Sequence, residues 1–339
     1  MKLSKEFLVL LNAALSGKNP EGGEIDILTS ASPDDWQRIA AISREQNVTG
    51  LVGDAVTNLP EKIAIPDNIF LYFLAEKEKC AIQGRRMAAI AKSVIHGFND
   101  AGLNPILMKG PATAAFYPKP ELRTFGDIDL FFYHDEFHKA RDIAKSESGF
   151  MLASDGSFHF KKDDVDVDVH DGYFDLHISE ENLPKVPSAE ATLLMLSAHA
   201  LKHACGTGVG IRQITDYAMA CDALKGQYDP DKLDAAFKES GIIKWQSLLS
   251  SFIINILGIQ IPCPGGKTIS EEPLLKIIEE GGNFGHHAAG RSIVYGKSAT
   301  KRKMDTFRRF LRRLPFSLKY APKETFRTML SLLGGNLHI

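Results

Sequence analysis

Two stretches of alternating residues constrain this chain more than anything else in its 339 residues. Asp127-Ile128-Asp129-Leu130-Phe131-Phe132 sets two aspartates two positions apart inside an apolar run, and Val165-Asp166-Val167-Asp168-Val169-His170 repeats the device. A period of two is that of a β-strand, whose side chains point alternately to opposite faces. Asp127 and Asp129 therefore share one face, while Ile128, Leu130 and Phe132 share the other. Asp166, Asp168 and His170 likewise point one way. Carboxylates held side by side against a hydrophobic sheet repel one another, and their burial is costly unless positive charge compensates it. The usual compensator of converging acidic oxygens is a hard cation such as Mg²⁺. The expectation is a half-buried sheet with an acidic face suited to metal-dependent chemistry on a nucleotide.

The residues ahead of the first acidic strand fit that expectation. Residues 105–109 read as a strand ending at Lys109, and Gly110 with Pro111 opens a short helix (112–117). Proline at the first helical position loses an N–H that has no intrahelical partner anyway. Lys109-Gly110 then offers backbone N–H groups, the positive end of a helix and one ammonium to a phosphate. Gly126 allows close backbone approach to a ligand, and Arg123 is placed to reach a triphosphate tail. The plainer reading of Arg123 is a surface ion pair with Glu121 or Asp142. Asp166 has a plain reading too, as a solvated residue of a one-sided hairpin, with 157–162 and 165–170 paired around Asp163-Asp164.

The rest of the chain is helical in pattern, which makes the fold class α+β: a small mixed sheet with helices, flanked by N-terminal and C-terminal helical regions. The expected divisions are an N-terminal helical region at 1–100, a catalytic core at 101–186, and a C-terminal helical domain with a basic tail at 187–339. Helices are predicted from Asp34-Asp35 through Ile42, over 52–59, and over 67–99 with Gly84 as a weak point. Another is predicted over 136–147, capped by Asp135. The C-terminal half carries patterns at 188–204, 211–225, 231–239, 242–258, 274–281 and 302–332. Near the start, Leu3, Phe7, Leu11 and Ala14 recur at helical spacing, so this run reads as an amphipathic helix rather than a cleaved signal.

Composition adds three constraints. No apolar run is long enough to span a bilayer, so membrane insertion is not expected. Cys80, Cys205, Cys221 and Cys263 are far apart, with no C-x-x-C pair, which argues for a reducing, cytoplasmic setting and against structural zinc. The net charge of −2 hides an asymmetry: residues 297–327 hold eleven Lys or Arg against Asp305 and Glu324, a net of +9. That segment suits an anionic partner or a solvated helix face. Its phenylalanines, irregularly spaced, fit a helical core stripe better than a base-stacking platform.

Taken together, Leu107-Met108-Lys109-Gly110, Tyr117-Pro118, Leu122-Arg123 and Gly126-Asp127-Ile128-Asp129-Leu130 resemble the uncharacterised bacterial nucleotidyltransferase family of the DNA polymerase β-like nucleotidyltransferase superfamily. The resemblance implies that Asp127 and Asp129 are the metal-binding pair and Asp168 the third acid, matching an Asp-hydrophobic-His motif completed by His170. It implies transfer of an NMP group from an NTP to an acceptor hydroxyl, with Mg²⁺ or Mn²⁺ and release of pyrophosphate. The wider superfamily has Gly-Gly or Gly-Ser at the turn, whereas this chain has the Lys109-Gly110 form of the narrower family. A later His199-x-x-Lys202-His203 and Arg212-x-x-x-Asp216 arrangement resembles the family's helical segment. On that reading these five residues line the nucleotide cleft, with Asp216 orienting Arg212. Their other reading is a polar ladder between helices. The acceptor is open: a protein, a small molecule or a nucleic acid end. Two further readings compete. One is a catalytically silent nucleotide-binding or interaction module. The other is a metal-dependent phosphohydrolase built on Asp166, Asp168, His159 and His170, with His177 nearby.

Overall fold

A computed structural model of the chain describes residues 2–153, 156–176, 183–282 and 299–333. The chain divides into two compact units, one formed by residues 4–44 and 48–173, the other by residues 174 onward together with 1–3 and 45–47. Among the described residues no helix is long and apolar enough to cross a membrane.

The first unit begins with helices α1 (Lys5–Ser16), α2 (Gly23–Thr29), α3 (Pro33–Glu45), α4 (Thr49–Thr57) and α5 (Asp67–Asp100). In α1 the Ser4 hydroxyl accepts from the Phe7 N–H at 3.3 Å, and Gly17 closes the C-terminus in the left-handed region. Its buried stripe is Phe7, Leu10, Leu11 and Leu15, so the amphipathic reading holds. The sequence reading missed α2, a single short segment without a clear apolar period.

The sheet follows: β1 (Ile106–Leu107), α6 (Pro111–Ala114), a 3₁₀ turn at Pro120–Leu122, β2 (Asp127–Phe131), α7 (His134–Ala144), β3 (Ser148–Leu152), β4 (Phe158–Lys162) and β5 (Val165–His170). Its order is β1-β2-β5-β4-β3, with β2 and β5 parallel and the other pairs antiparallel. One face carries Ile128, Leu130 and Phe132, the Val165, Val167 and Val169 row, and Phe158 and Phe160. These pack on Met87, Ile90, Val94 and Phe98 of α5 and on Phe137 and Ala140 of α7. That apolar layer forces the aspartates of β2 and β5 onto the opposite face.

Three sequence expectations are corrected here. Asp135 does not cap α7: the N-cap is Tyr133, without a side-chain cap bond, and Asp135 lies in the first turn. The edge strand β3 was not anticipated, because Met151 and Leu152 are both exposed and a register irregularity between Ser148 and Met151 breaks the alternation. Gly84 is no weak point. It is a notch where α5 meets the 3₁₀ turn, and a Cβ there would collide with the Glu121 backbone.

The second unit holds α8 (Ala189–Cys205), α9 (Ile211–Ala223), α10 (Pro230–Glu239), α11 (Ile243–Asn255), α12 (Glu272–Gly281), α13 (Ala299–Tyr320) and α14 (Pro322–Leu333). Its core includes a satisfied polar network: the Ser197 hydroxyl donates to Gln246 Oε1 at 2.7 Å, and Gln246 Nε2 donates to the Tyr217 hydroxyl at 2.7 Å. The single helix expected over 302–332 is two, because Pro322 restarts the helix at its own N1 position after the buried Ala321. All four cysteines are free. Burial pushes the thiols of Cys205 and Cys221 up to about 11 and about 12, which keeps them protonated and unreactive.

The notch at Gly84 yields a paired prediction. Gly84→Ala should lower the stability of the protein by about 1–3 kcal/mol through overpacking. Gly97→Ala, in the same helix with open space around the position, should raise it by about 0.8–1 kcal/mol. Urea unfolding midpoints of the two variants against wild type check both signs.

Candidate functional site

The register between β2 and β5 determines the geometry of the acidic face. Asp127 pairs with Asp166, Asp129 with Asp168, and Phe131 with His170. Neighbouring strands lie about 4.8 Å apart and alternate residues about 6.6 Å along a strand. Asp127, Asp129 and Asp168 are thus rooted at the corners of a small triangle, with Asp166 at the fourth corner. Asp166 is exposed and lies 3.1 Å from Lys161 Nζ of the adjacent strand, as its solvated reading expects. Asp168 faces His159 across β4. His177 lies outside the described residues.

Asp129 is the best-enclosed acid of the set, at 7% exposure. Its Oδ1 lies 3.2 Å from His170 Nε2 and 3.8 Å from Lys109 Nζ. The strand β1 brings Lys109 there, since the Met108 N–H donates to the Asp129 carbonyl at 3.0 Å and extends the β1–β2 ladder. Gly110 then turns the chain at φ +57°, and a Cβ on it would stand 2.9 Å from the Asp127 carbonyl oxygen. Only glycine lets the turn lie this close to β2. Gly126 is different, since a Cβ there meets nothing within 4 Å and the space beside Asp127 is open. The helix after the turn, α6, is a single turn, so its dipole adds little and the Lys109 ammonium is the main positive charge.

Burial, then the charges of Asp129 and Asp127, push the Asp168 carboxyl above its ordinary value, against the pull of His170 and His159. Burial and like charge both disfavour the ionised form of a carboxyl. Arg123 is buried at 6% exposure, which removes the surface ion-pair reading. It follows directly on the 3₁₀ turn, with its N–H donated to the Pro120 carbonyl. Two cavities of this unit lie away from the acids. One of about 590 Å³ is walled by α5, α7 and β4 (Lys92, His96, Phe160, Lys162), and one of about 210 Å³ lies beside Asp54 and Lys119.

The remaining sequence-derived residues belong to the second unit. On α8, His199 Nδ1 lies 2.9 Å from Asp175 Oδ2, and Lys202 Nζ donates to Asp175 Oδ1 at 3.0 Å. The rings of His199 and His203 meet edge to face, with centroids 4.5 Å apart. Arg212 and Asp216 are both buried on α9. Asp175, which ties His199 and Lys202 of α8 together, escaped the sequence reading. It stands alone ahead of a helix, in a stretch without periodicity, and its only signal is the set of basic residues one element later.

The family model described as "Uncharacterised nucleotidyltransferase" matches residues 32–245, well over half of the chain. The chain belongs to that family. It is thus a transferase of the nucleotidyl-transfer class, and a nucleotide is its substrate. No curated protein and no solved structure matches it.

The sequence reading expects a divalent cation on this face. Among the described residues no three His, Cys, Asp or Glu side chains are gathered closely enough, as they stand, to hold an ion. Asp129 is turned toward Lys109 and His170 instead. The donor chemistry nonetheless fits. The face offers hard carboxylate oxygens, and the Asp168 carboxyl is raised by burial and then by the charges of Asp129 and Asp127. Holding an ion requires Asp129 to exchange its present contacts for it.

The same electrostatics predict a pH effect in chelator. The native state holds the Asp168 proton more tightly than the unfolded chain does, so stability should fall as pH rises above 3.8 through the Asp168 titration. Asp168→Asn should remove this loss and unfold at a higher Tm than wild type at pH 7, with no advantage near pH 3. Thermal melts of both proteins across pH check it.

Proposed function

We propose that this nucleotidyltransferase moves an NMP group from an NTP to an acceptor hydroxyl and releases pyrophosphate, with Asp127, Asp129 and Asp168 as its catalytic acids. The observation that carries the reading is the parallel register of β2 and β5, which roots three carboxylates on one face beside a lysine and a glycine turn. Asp127, Asp129 and Asp168 would hold Mg²⁺ or Mn²⁺, which when bound supplies charge neutralisation for the triphosphate and acidifies the attacking hydroxyl.

The chain's own residues do the rest. Lys109 sits against the acidic face, where its ammonium would bind a phosphate oxygen. The open space beside Gly126 admits the nucleotide next to Asp127. Asp168 helps deprotonate the acceptor hydroxyl, as metal ligand or as base, while that oxygen attacks the α-phosphorus in line. The α-phosphorus–oxygen bond to the β-phosphate breaks, and pyrophosphate leaves with the bonding electrons. His170, 3.2 Å from Asp129, belongs with the nucleotide-binding residues. Arg123, His199, Lys202, His203, Arg212 and Asp216 are assigned to nucleotide binding by the family resemblance. The four free cysteines agree with a reducing, cytoplasmic setting.

Incubation with each α-labelled NTP and Mg²⁺ or Mn²⁺, with and without cell extract, tests the reading. Label should appear on an acceptor with stoichiometric pyrophosphate. Saturable NTP binding without pyrophosphate release would favour the silent module, and free NMP with no labelled acceptor would favour the hydrolase. Asp127→Asn and Asp129→Asn should each lower transfer by at least about 10²–10³-fold, the scale of losing one electrostatic contributor, with the circular dichroism spectrum unchanged.

A further inference from the structure

The last two helices carry an exposed surface that nucleotidyl transfer does not use. The inner side of α13 is anchored: Phe316 meets Trp245 of α11 and Tyr320 edge-on or tilted, with centroids 6.3 and 4.8 Å away, and Ser317 and Tyr320 are buried. Its outer side shows Arg308, Leu311, Arg312, Leu318 and Lys319, all exposed and recurring at helical spacing. On α14, Phe326 and Leu330 stand one turn apart at 56% and 51% exposure, next to Met329, Lys323 and Arg327. The sequence expectation that the phenylalanines here form a core stripe therefore fails at Phe326. The side chains of Phe307 and Phe310 lie outside those described. Residues 299–333 hold ten Lys or Arg against Asp305 and Glu324.

We infer that the outer face of α13 and α14 is a docking surface for an anionic phospholipid membrane, on which the protein rests without inserting a helix. Large apolar side chains and cations lie side by side on the exposed parts of both helices, and only some partners use both. A nucleic acid would neutralise the cations but give Leu311, Leu318, Met329 and Leu330 nothing to bury against. A second copy meeting this face symmetrically would set like charges opposite one another. An anionic bilayer takes both: the apolar tips enter the boundary between headgroups and acyl chains, while the long basic side chains reach the lipid phosphates. No helix among the described residues can span a bilayer, so the contact is peripheral.

Co-sedimentation of the full chain with vesicles tests this. Vesicles of phosphatidylcholine with roughly one-third phosphatidylglycerol should bind the protein. Pure phosphatidylcholine should bind it at least tenfold less, and raised salt should weaken the binding. The variant carrying Phe326→Asp and Leu330→Asp should lose at least tenfold of the anionic-vesicle binding. Lys323→Glu with Arg327→Glu should do the same from the charged side, which protects the test if the first pair fails to fold. Absence of binding to anionic vesicles, undiminished binding by both folded variants, or retention on duplex DNA that survives Phe326→Asp/Leu330→Asp while vesicles bind nothing would overturn the proposal. A dimer in sedimentation equilibrium that these variants dissolve, again without vesicle binding, would assign the face to a second copy and overturn it as well.

Discussion

The parallel pairing of β2 with β5 is the constraint on which the rest of this molecule depends. Residues 127 and 168 are forty-one positions apart, and only the register Asp129↔Asp168 brings the two acidic runs alongside. That register is enforced from the far side of the sheet. Ile128, Leu130, Val167 and Val169 must all face α5 and α7, and a one-residue slip in either strand would drive aspartates into the apolar layer. The hydrophobic core therefore determines the electrostatics of the opposite face. Like charges are held together there because the alternative is worse.

Much of this was legible in the sequence, for a physical reason. Alternation inside β2 and β5 is a direct imprint of one buried and one open face, so both strands and the side on which each aspartate stands could be read off. Lys109-Gly110 was legible as a turn because glycine and proline punctuate the chain there, and φ +57° at Gly110 is the conformation that reading requires. The sequence was silent where no local period exists. The edge strand β3 exposes Met151 and Leu152, α2 is too short for a stripe, and Asp175 acts through a partner one helix away. Gly84 was misread because propensity weighs a glycine by its helix alone, whereas its value lies in the neighbour it lets approach.

The contacts of the acidic face show how its side-chain charges are balanced. Its carboxylates are not gathered: Asp129 takes the available cationic partners, Lys109 and His170, and Asp168 answers with a raised proton affinity. The strand register holds the positions from which these side chains extend, which suits the proposed nucleotide site.

The most direct test of the central claim is an anomalous-scattering crystal structure of the protein soaked with Mn²⁺ and a non-hydrolysable NTP analogue. The account predicts a manganese peak ligated by Asp127, Asp129 and Asp168, with the Lys109 ammonium moved from Asp129 to a phosphate oxygen. A nucleotide bound elsewhere, or manganese seated away from these three aspartates, would contradict it.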